Sequence, residues 1–148
     1  MQTFYLSESA LQTKRIGKIF AKEVFKIKGL KKAVMIGLEG DLGGGKTTFL
    51  QGFAKGLGIK EKILSPTFVI MKKFGISKSG FKNFYHFDCY RIERIKDISE
   101  LGFKKIVSNP QNVVAFEWAD RIKKILPRDS IWIKFKFINK NKREIVIK

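Results

Sequence analysis

The sequence predicts a single α/β domain over residues 1–148, with a mixed β-sheet flanked by helices and a C-terminal antiparallel hairpin. Three observations carry that expectation. Strand and helix patterns follow one another as β-α-β-loop-α through the N-terminal part, the order that builds layered α/β domains. The nearly continuous apolar run "KKAVMIGLEG" leads straight into a glycine-rich loop, as a strand buried on both faces would. The chain then closes on two short runs with strand periodicity, separated by "NKNK".

In chain order, "TFYL" reads as a short first strand. Ser7 or Ser9 can cap the helix that follows, which runs to about Lys26 and carries Ile16, Phe20 and Val24 on one stripe. After the apolar strand, "TTFLQGFAKGLG" reads as a second helix, with Leu50, Ala54 and Leu57 sharing a face and Gly56 or Gly58 ending it. "TFVIMKKF" and "FYHFD" read as strands around a turn at "GISKSG". Ser99 to Val107 suggests one or two short helices, and "NVVAFEW" a further buried strand. In "IWIKFKFI", Ile131, Ile133, Phe135 and Phe137 alternate with Lys134 and Lys136, and "REIVIK" is the returning strand of the hairpin. No internal repeat, low-complexity linker or domain break interrupts this order.

Composition narrows the class. A hydrophobic fraction of 44% and an aromatic fraction of 13% fit a packed globule. No apolar run is long enough for a membrane span, and "MQTFYLSESA" lacks the layout of a signal peptide. The single cysteine, Cys89, cannot form an internal disulfide, so a soluble, cytoplasmic protein is the expectation. The net charge of +18 fits an acidic partner such as RNA or a negatively charged protein. It also fits a plain compositional preference, because 25 Lys stand against 6 Arg and the lysines are scattered.

The densest chemistry lies in "EGDLGGGKTTF", where Gly40, Gly45, Lys46 and Thr47 make the spacing G-x-x-x-x-G-K-T. A strand before it and a helix after it are the setting a phosphate loop requires, and they predict a P-loop NTPase-like fold. Glycines let consecutive backbone N–H groups surround phosphate oxygens, and the helix starting near Lys46 adds its positive end. The candidate nucleotide-binding residues are Asp41, Leu42, Gly43, Gly44, Gly45, Lys46, Thr47 and Thr48, with Lys46 suited to the β- and γ-phosphates of ATP and the Thr47 hydroxyl to Mg²⁺. A magnesium–nucleotide site also wants a carboxylate at the end of a neighbouring strand, and both Asp88 and Glu117 qualify. Either can hold Mg²⁺ through water, orient the attacking water, cap a helix or pair with a nearby arginine. Thr67 in "SPTF" is a candidate second hydroxyl on a switch loop, or part of an ordinary turn. His86 reads as a packed or hydrogen-bonded strand residue, and Trp118 as core or, because it follows Glu117, as a site neighbour.

These pieces together resemble the TsaE family, the P-loop ATPases of bacterial tRNA threonylcarbamoyladenosine (t6A) biosynthesis. The shared landmarks are "GDLGGGKTTF", "SPTF", "HFDCYRI", "ELG" and "FEWAD", in register over nearly the whole chain. The resemblance implies a compact fold that hydrolyses ATP weakly alone and works with the TsaB–TsaD complex, which attaches a threonylcarbamoyl group to N6 of adenosine 37 of tRNA. It implies that Lys46 and Thr47 bind phosphate and Mg²⁺, that Glu117 joins the metal site, that Thr67 and Asp88 hold switch and catalytic positions, and that Trp118 matches the family's tryptophan. Gly44 stands where the family often has Ala, Cys89 where Leu is usual, and Lys104 and Lys105 where acidic residues are common.

Two other functions compete with an ATPase of tRNA modification. One is a small-molecule P-loop kinase, against which stands the lack of an arginine-rich lid segment, since only Arg91 and Arg94 lie close together. The other is a basic RNA-binding protein that keeps ATP as a structural ligand. The adenine pocket is open at this level, with the loop around Ser7–Ala10 and the C-terminal strands as candidates.

Overall fold

A computed structural model describes residues 2–41, 43, 45–64, 70–77 and 80–148. Seven strands form one mixed sheet: β1 (Thr3–Ser7), β2 (Val34–Gly40), β3 (Met71–Gly75), β4 (Asn83–Asp88), β5 (Asn112–Glu117), β6 (Ile131–Asn139) and β7 (Lys142–Ile147), in the spatial order β1-β7-β6-β2-β5-β4-β3. Strand β2 pairs in parallel with β5 and β6, and β4 pairs in parallel with β5. The pairs β1–β7, β6–β7 and β3–β4 are antiparallel. The fold is therefore the α/β P-loop NTPase-like arrangement that the sequence predicts, with β6 and β7 as its C-terminal hairpin.

Two helices cover one face, α1 (Ala10–Phe25) and α2 (Lys46–Gly56). Ser9 caps α1 from an extended backbone, its hydroxyl oxygen accepting from the Gln12 amide at 3.1 Å. From α1, Phe20, Ala21 and Val24 are buried, while Ile16 is only partly so. They pack with Phe49, Leu50 and Phe53 of α2 onto Ile36 and Leu38 of β2 and Ile133 and Phe135 of β6. Gly58, at φ +87°, ends α2: its amide and that of Ile59 donate back to the carbonyls of Lys55 and Ala54, each at 3.0 Å.

The other face carries two short helices, α3 (Ile95–Ser99) and α4 (Phe103–Val107), and a 3₁₀ turn at Ala119–Ile122. The sequence reading starts the helical segment at Ser99, which is in fact the last residue of α3. The short, polar "ERIKD" stretch shows no usable periodicity, and its start is set locally by the Asp97 carboxylate, which accepts from the Arg94 amide. Alternation along β2 serves both layers, since Val34, Ile36 and Leu38 face α1 and α2 while Met35 packs with Phe87, Phe116 and Ile122. Of the strand expected over 67–74, residues 71–74 belong to β3, and 67–69 lie outside the described residues. Among the described residues no helix is long and apolar enough to cross a membrane.

Helices α1 and α2 approach so closely that glycine is required on both. A Cβ on Gly52 would strike the Lys14 carbonyl, and one on Gly17 would strike the Phe49 carbonyl. Backbone cannot yield as a side-chain tip can, so Gly52→Ala is expected to destabilise the fold by ~1–3 kcal/mol or more. Gly75, at the end of β3, has open space around it; Gly75→Ala is expected to stay within ~0.5 kcal/mol of the parent. Urea unfolding of the two variants side by side checks the contrast, and equal midpoints would show that the helices can part at little cost.

Candidate functional site

Parallel pairing sends the C-terminal ends of β2, β4 and β5 to the same edge of the sheet, the edge at which open α/β sheets place ligands. Strand β2 ends at Gly40, whose φ of +136° and close approach to the Phe135 carbonyl leave no room for a Cβ. The glycine-rich loop follows. Gly43 (φ +76°) and Gly45 (φ +99°) take left-handed conformations, and Gly45 is the N-cap of α2. Leu42 and Gly44 lie outside the described residues.

Lys46, the first residue of α2, is 5% exposed. Its Nζ donates to the carbonyls of Gly40 at 2.9 Å and Asp41 at 2.8 Å, and lies 4.1 Å from the centre of the Trp118 ring. Burial pushes the Lys46 pKa down, against the opposing pull of Glu117, Asp120, Asp41 and Asp88. The ammonium is thus partly dehydrated and held by the neutral dipoles of two carbonyls.

The next residue reaches the other way. Thr47 Oγ1 donates to Glu117 Oε1 at 2.9 Å. Glu117 is the last residue of β5 and is 2% exposed, and its Oε2 lies 2.6 Å from His86 Nε2 on β4. Asp88 stands level with Glu117 in the β4–β5 register but uses its Oδ1 to accept from the Tyr90 amide at 3.0 Å. The two carboxylates, equivalent candidates by sequence, are separated by geometry: Glu117 faces the phosphate-loop helix, and Asp88 holds the turn after β4. Thr67 lies outside the described residues.

Trp118 occupies the left-handed region, at φ 57° and ψ 42°, alone among the described non-glycine residues. That conformation costs an ordinary residue on the order of 1–2 kcal/mol. Contacts of its ring offset the strain, with Lys46 on one side and Tyr90 at 4.9 Å between ring centres. Trp118 is therefore a member of the site and not only core. Cys89 is fully buried, and burial pushes its thiol pKa up, with Asp88 acting in the same direction, so it presents no thiolate nucleophile.

A cavity of about 560 Å³ opens over the loop, lined by Gly43, Gly45, Lys46, Thr47, Thr48, Glu117 and Trp118. Its far wall comes from the two ends of the chain: Glu8, Ser9, Ala10 and Thr13 from the start of α1, and Lys140, Asn141 and Arg143 from the β6–β7 hairpin. The β1–β7 register, which sets Ser7 opposite Arg143, brings these segments together. A Cβ placed on Gly45 would lie 3.5 Å from Thr13 Cγ2 and 3.9 Å from Arg143 Cγ. Ser7 and Thr13 share a hydroxyl contact at 2.7 Å, which ties β1 to α1 beneath this wall. Glu8, Ser9 and Ala10 fall in the loop singled out from sequence, and Arg143 on the C-terminal strands named beside it; Thr13 had no local signal.

For Mg²⁺ the donor set is suitable. Thr47 Oγ1 and Glu117 Oε1 are hard oxygens already close together at the mouth of the loop. No group of three or more His, Cys, Asp or Glu able to hold a metal occurs among the described residues. Magnesium bound mainly by phosphate and water needs only such a sparse protein contribution.

A family model described as "Threonylcarbamoyl adenosine biosynthesis protein TsaE" matches residues 7–145. The chain belongs to the TsaE family. It is 39% identical over 134 residues to the tRNA threonylcarbamoyladenosine biosynthesis protein TsaE of Bacillus subtilis, covering 90% of this chain and 77% of that protein. It is 32% identical to the Treponema pallidum TsaE, covering 96% of this chain and 97% of that one. The crystal structure of Bacillus subtilis YdiB superimposes with a TM-score of 0.73 at 33% identity, over 99% of this chain and 84% of that one. The TsaE membership and the site geometry rest on the same stretch, since the matched residues include every described side chain that lines the phosphate-loop cavity.

The Lys46–Trp118 contact gives an optical test of the loop. In a Trp132→Phe background, which leaves Trp118 as the only indole, ADP with Mg²⁺ is expected to change tryptophan emission as the ammonium moves from the ring to the phosphates. An unchanged spectrum at saturating nucleotide would mean that Lys46 stays where it is.

Proposed function

We propose that this TsaE-family chain binds ATP with Mg²⁺ at the loop of residues 40–48 and hydrolyses it slowly, as the ATPase component of tRNA t6A synthesis. The observation that carries the reading is the placement of Lys46, Thr47 and Glu117 on one cavity edge, at the C-terminal ends of β2 and β5.

In this reading the phosphates enter over the amides of Gly43, Gly45 and the first turn of α2, where backbone N–H groups and the helix dipole favour anions. Lys46 exchanges the Gly40 and Asp41 carbonyls for β- and γ-phosphate oxygens, a charge-assisted contact in a partly dehydrated site. Thr47 and Glu117 are the residues that would hold Mg²⁺, whose contribution is to neutralise charge on the phosphate oxygens. Hydrolysis forms a bond from water oxygen to the γ-phosphorus and breaks the bond to the bridging oxygen, releasing ADP and phosphate. Asp88, level with Glu117 on the neighbouring strand, is the carboxylate proposed to orient that water, and Thr67 is the proposed γ-phosphate sensor. The adenosine end rests against the wall made by Ser9, Ala10, Thr13 and Arg143.

The names of the relatives place them in t6A biosynthesis, and by membership the same pathway is proposed here, with TsaB–TsaD as the partner complex. ATP binding would order the loops near Thr67 and Asp88 and alter affinity for that complex, with hydrolysis resetting it. Transfer RNA is reached through the partners or through the basic surface that the +18 charge provides. Such a role puts the chain in the cytoplasm, where tRNA is modified.

The test is Mg²⁺-dependent ATP hydrolysis by the purified chain, alone and with its cognate TsaB–TsaD pair. Slow turnover that changes on adding the pair is expected, with Lys46→Ala and Glu117→Gln each lowering kcat on the order of 10²-fold or more. Turnover indifferent to the pair would break the partner assignment, and full t6A in cells carrying only Lys46→Ala would break the ATPase assignment.

A further inference from the structure

His86 is the single histidine of the chain, is fully buried, and meets Glu117 through Nε2 at 2.6 Å. Its other ring nitrogen, Nδ1, is buried and has no hydrogen-bond partner among the described residues. Of the two neutral tautomers, a proton on Nε2 can be donated to Glu117 Oε2 and leaves only an unpaired acceptor at Nδ1. A proton on Nδ1 would leave a buried donor unpaired and set a nitrogen lone pair against a carboxylate oxygen. The geometry therefore selects Nε2–H.

The two oxygens of Glu117 are thus held from opposite sides, Oε1 by the Thr47 hydroxyl of α2 and Oε2 by the imidazole of β4. The two anchors are not equivalent. The Thr47 hydroxyl belongs to the phosphate loop and is the group that would turn to a magnesium ion, whereas His86 is fully buried on β4 and is not among the residues lining the cavity over the loop. When Thr47 is engaged elsewhere, His86 is the one hydrogen-bond partner left among the described residues to fix the plane of the carboxylate. We propose that His86 is a positioning residue, an N–H anchor from β4 that keeps Glu117 aimed at the phosphate loop in the nucleotide-bound state. This rests on the reading of Glu117 as the carboxylate on the magnesium side of an ATP site. A carboxylate at a strand end can rotate about its side-chain bonds, and a fixed outer partner removes that freedom, as partners of metal ligands generally do.

The lone histidine makes the proposal readable by nitrogen NMR of the whole protein. Ligand-free protein is expected to show the Nε2–H tautomer, with a proton that exchanges slowly with water. In the ADP complex, adding Mg²⁺ is expected to shift the Nε2–H resonance without abolishing it. The Nδ1–H tautomer, or a resonance indifferent to Mg²⁺ in a complex whose ADP affinity responds to Mg²⁺, would overturn the proposal. Binding supplies the second arm. His86→Leu is expected to raise the Mg²⁺ concentration needed for half of the affinity gain about 10-fold or more, with Mg²⁺-free ADP binding unchanged. His86→Gln, whose amide N–H₂ reaches toward the same oxygen, is expected to restore most of that response. An unaltered Mg²⁺ response in His86→Leu would sink the positioning role alone. Wild-type protein that binds no ADP would sink the nucleotide reading and this role with it.

Discussion

Strand β2 runs parallel to both of its neighbours, β5 and β6, and that pairing has consequences at every level of the molecule. A parallel strand in the middle of a sheet loses solvent on both faces, so its side chains must suit two different layers. Ile36 and Leu38 meet the paired helices, while Gly37 passes beneath Ala119 and Trp132, where a Cβ would lie 3.1 Å from either side chain. The same pairing lines up Leu38 with Glu117, so the strand leading into the loop passes level with the carboxylate that Thr47 contacts. Chemistry at one edge of the sheet follows from register in its centre.

A second constraint is the closeness of α1 and α2. Three glycines, Gly17, Gly52 and Gly56, lie where a side chain would meet the opposite helix. Close packing there draws the start of α1 toward the start of α2, which is why Thr13 stands beside Gly45. The wall of the cavity opposite Lys46 is thus a product of helix packing and of the β1–β7 pairing acting together.

What could be read from sequence was what local pattern encodes. The run from Val34 to Gly56 combines a buried strand, glycines at fixed spacing and a helix with one apolar face, so strand, loop and helix are all legible without tertiary information. Helix α3 is too short to show a period, and its start at Ile95 depends on one aspartate. Asp88 and Glu117 look alike in sequence because each closes an apolar strand. Only the position of α2 against β5, and the Tyr90 turn after β4, tells them apart. The contribution of Arg143 depends on pairing between the first and last strands, and that of His86 on the parallel register of β4 and β5. Neither register leaves a trace in nearby residues.

On the proposed reading of Lys46 as a phosphate ligand, its resting contacts would have an effect on affinity separate from the contacts a nucleotide makes. Two carbonyls and an indole ring act as an internal competitor for the same ammonium. Nucleotide affinity would then be a difference between the lysine's embrace of phosphate and its embrace of the protein itself. If the loop binds nucleotide as proposed, residues that stabilise the resting lysine, Trp118 among them, would set a threshold nucleotide concentration below which the loop stays self-occupied. A weaker grip at rest would tighten binding with no new contact to ligand, so under the proposed function sensitivity to ATP would depend on what holds the lysine at rest as well as on what holds the phosphates.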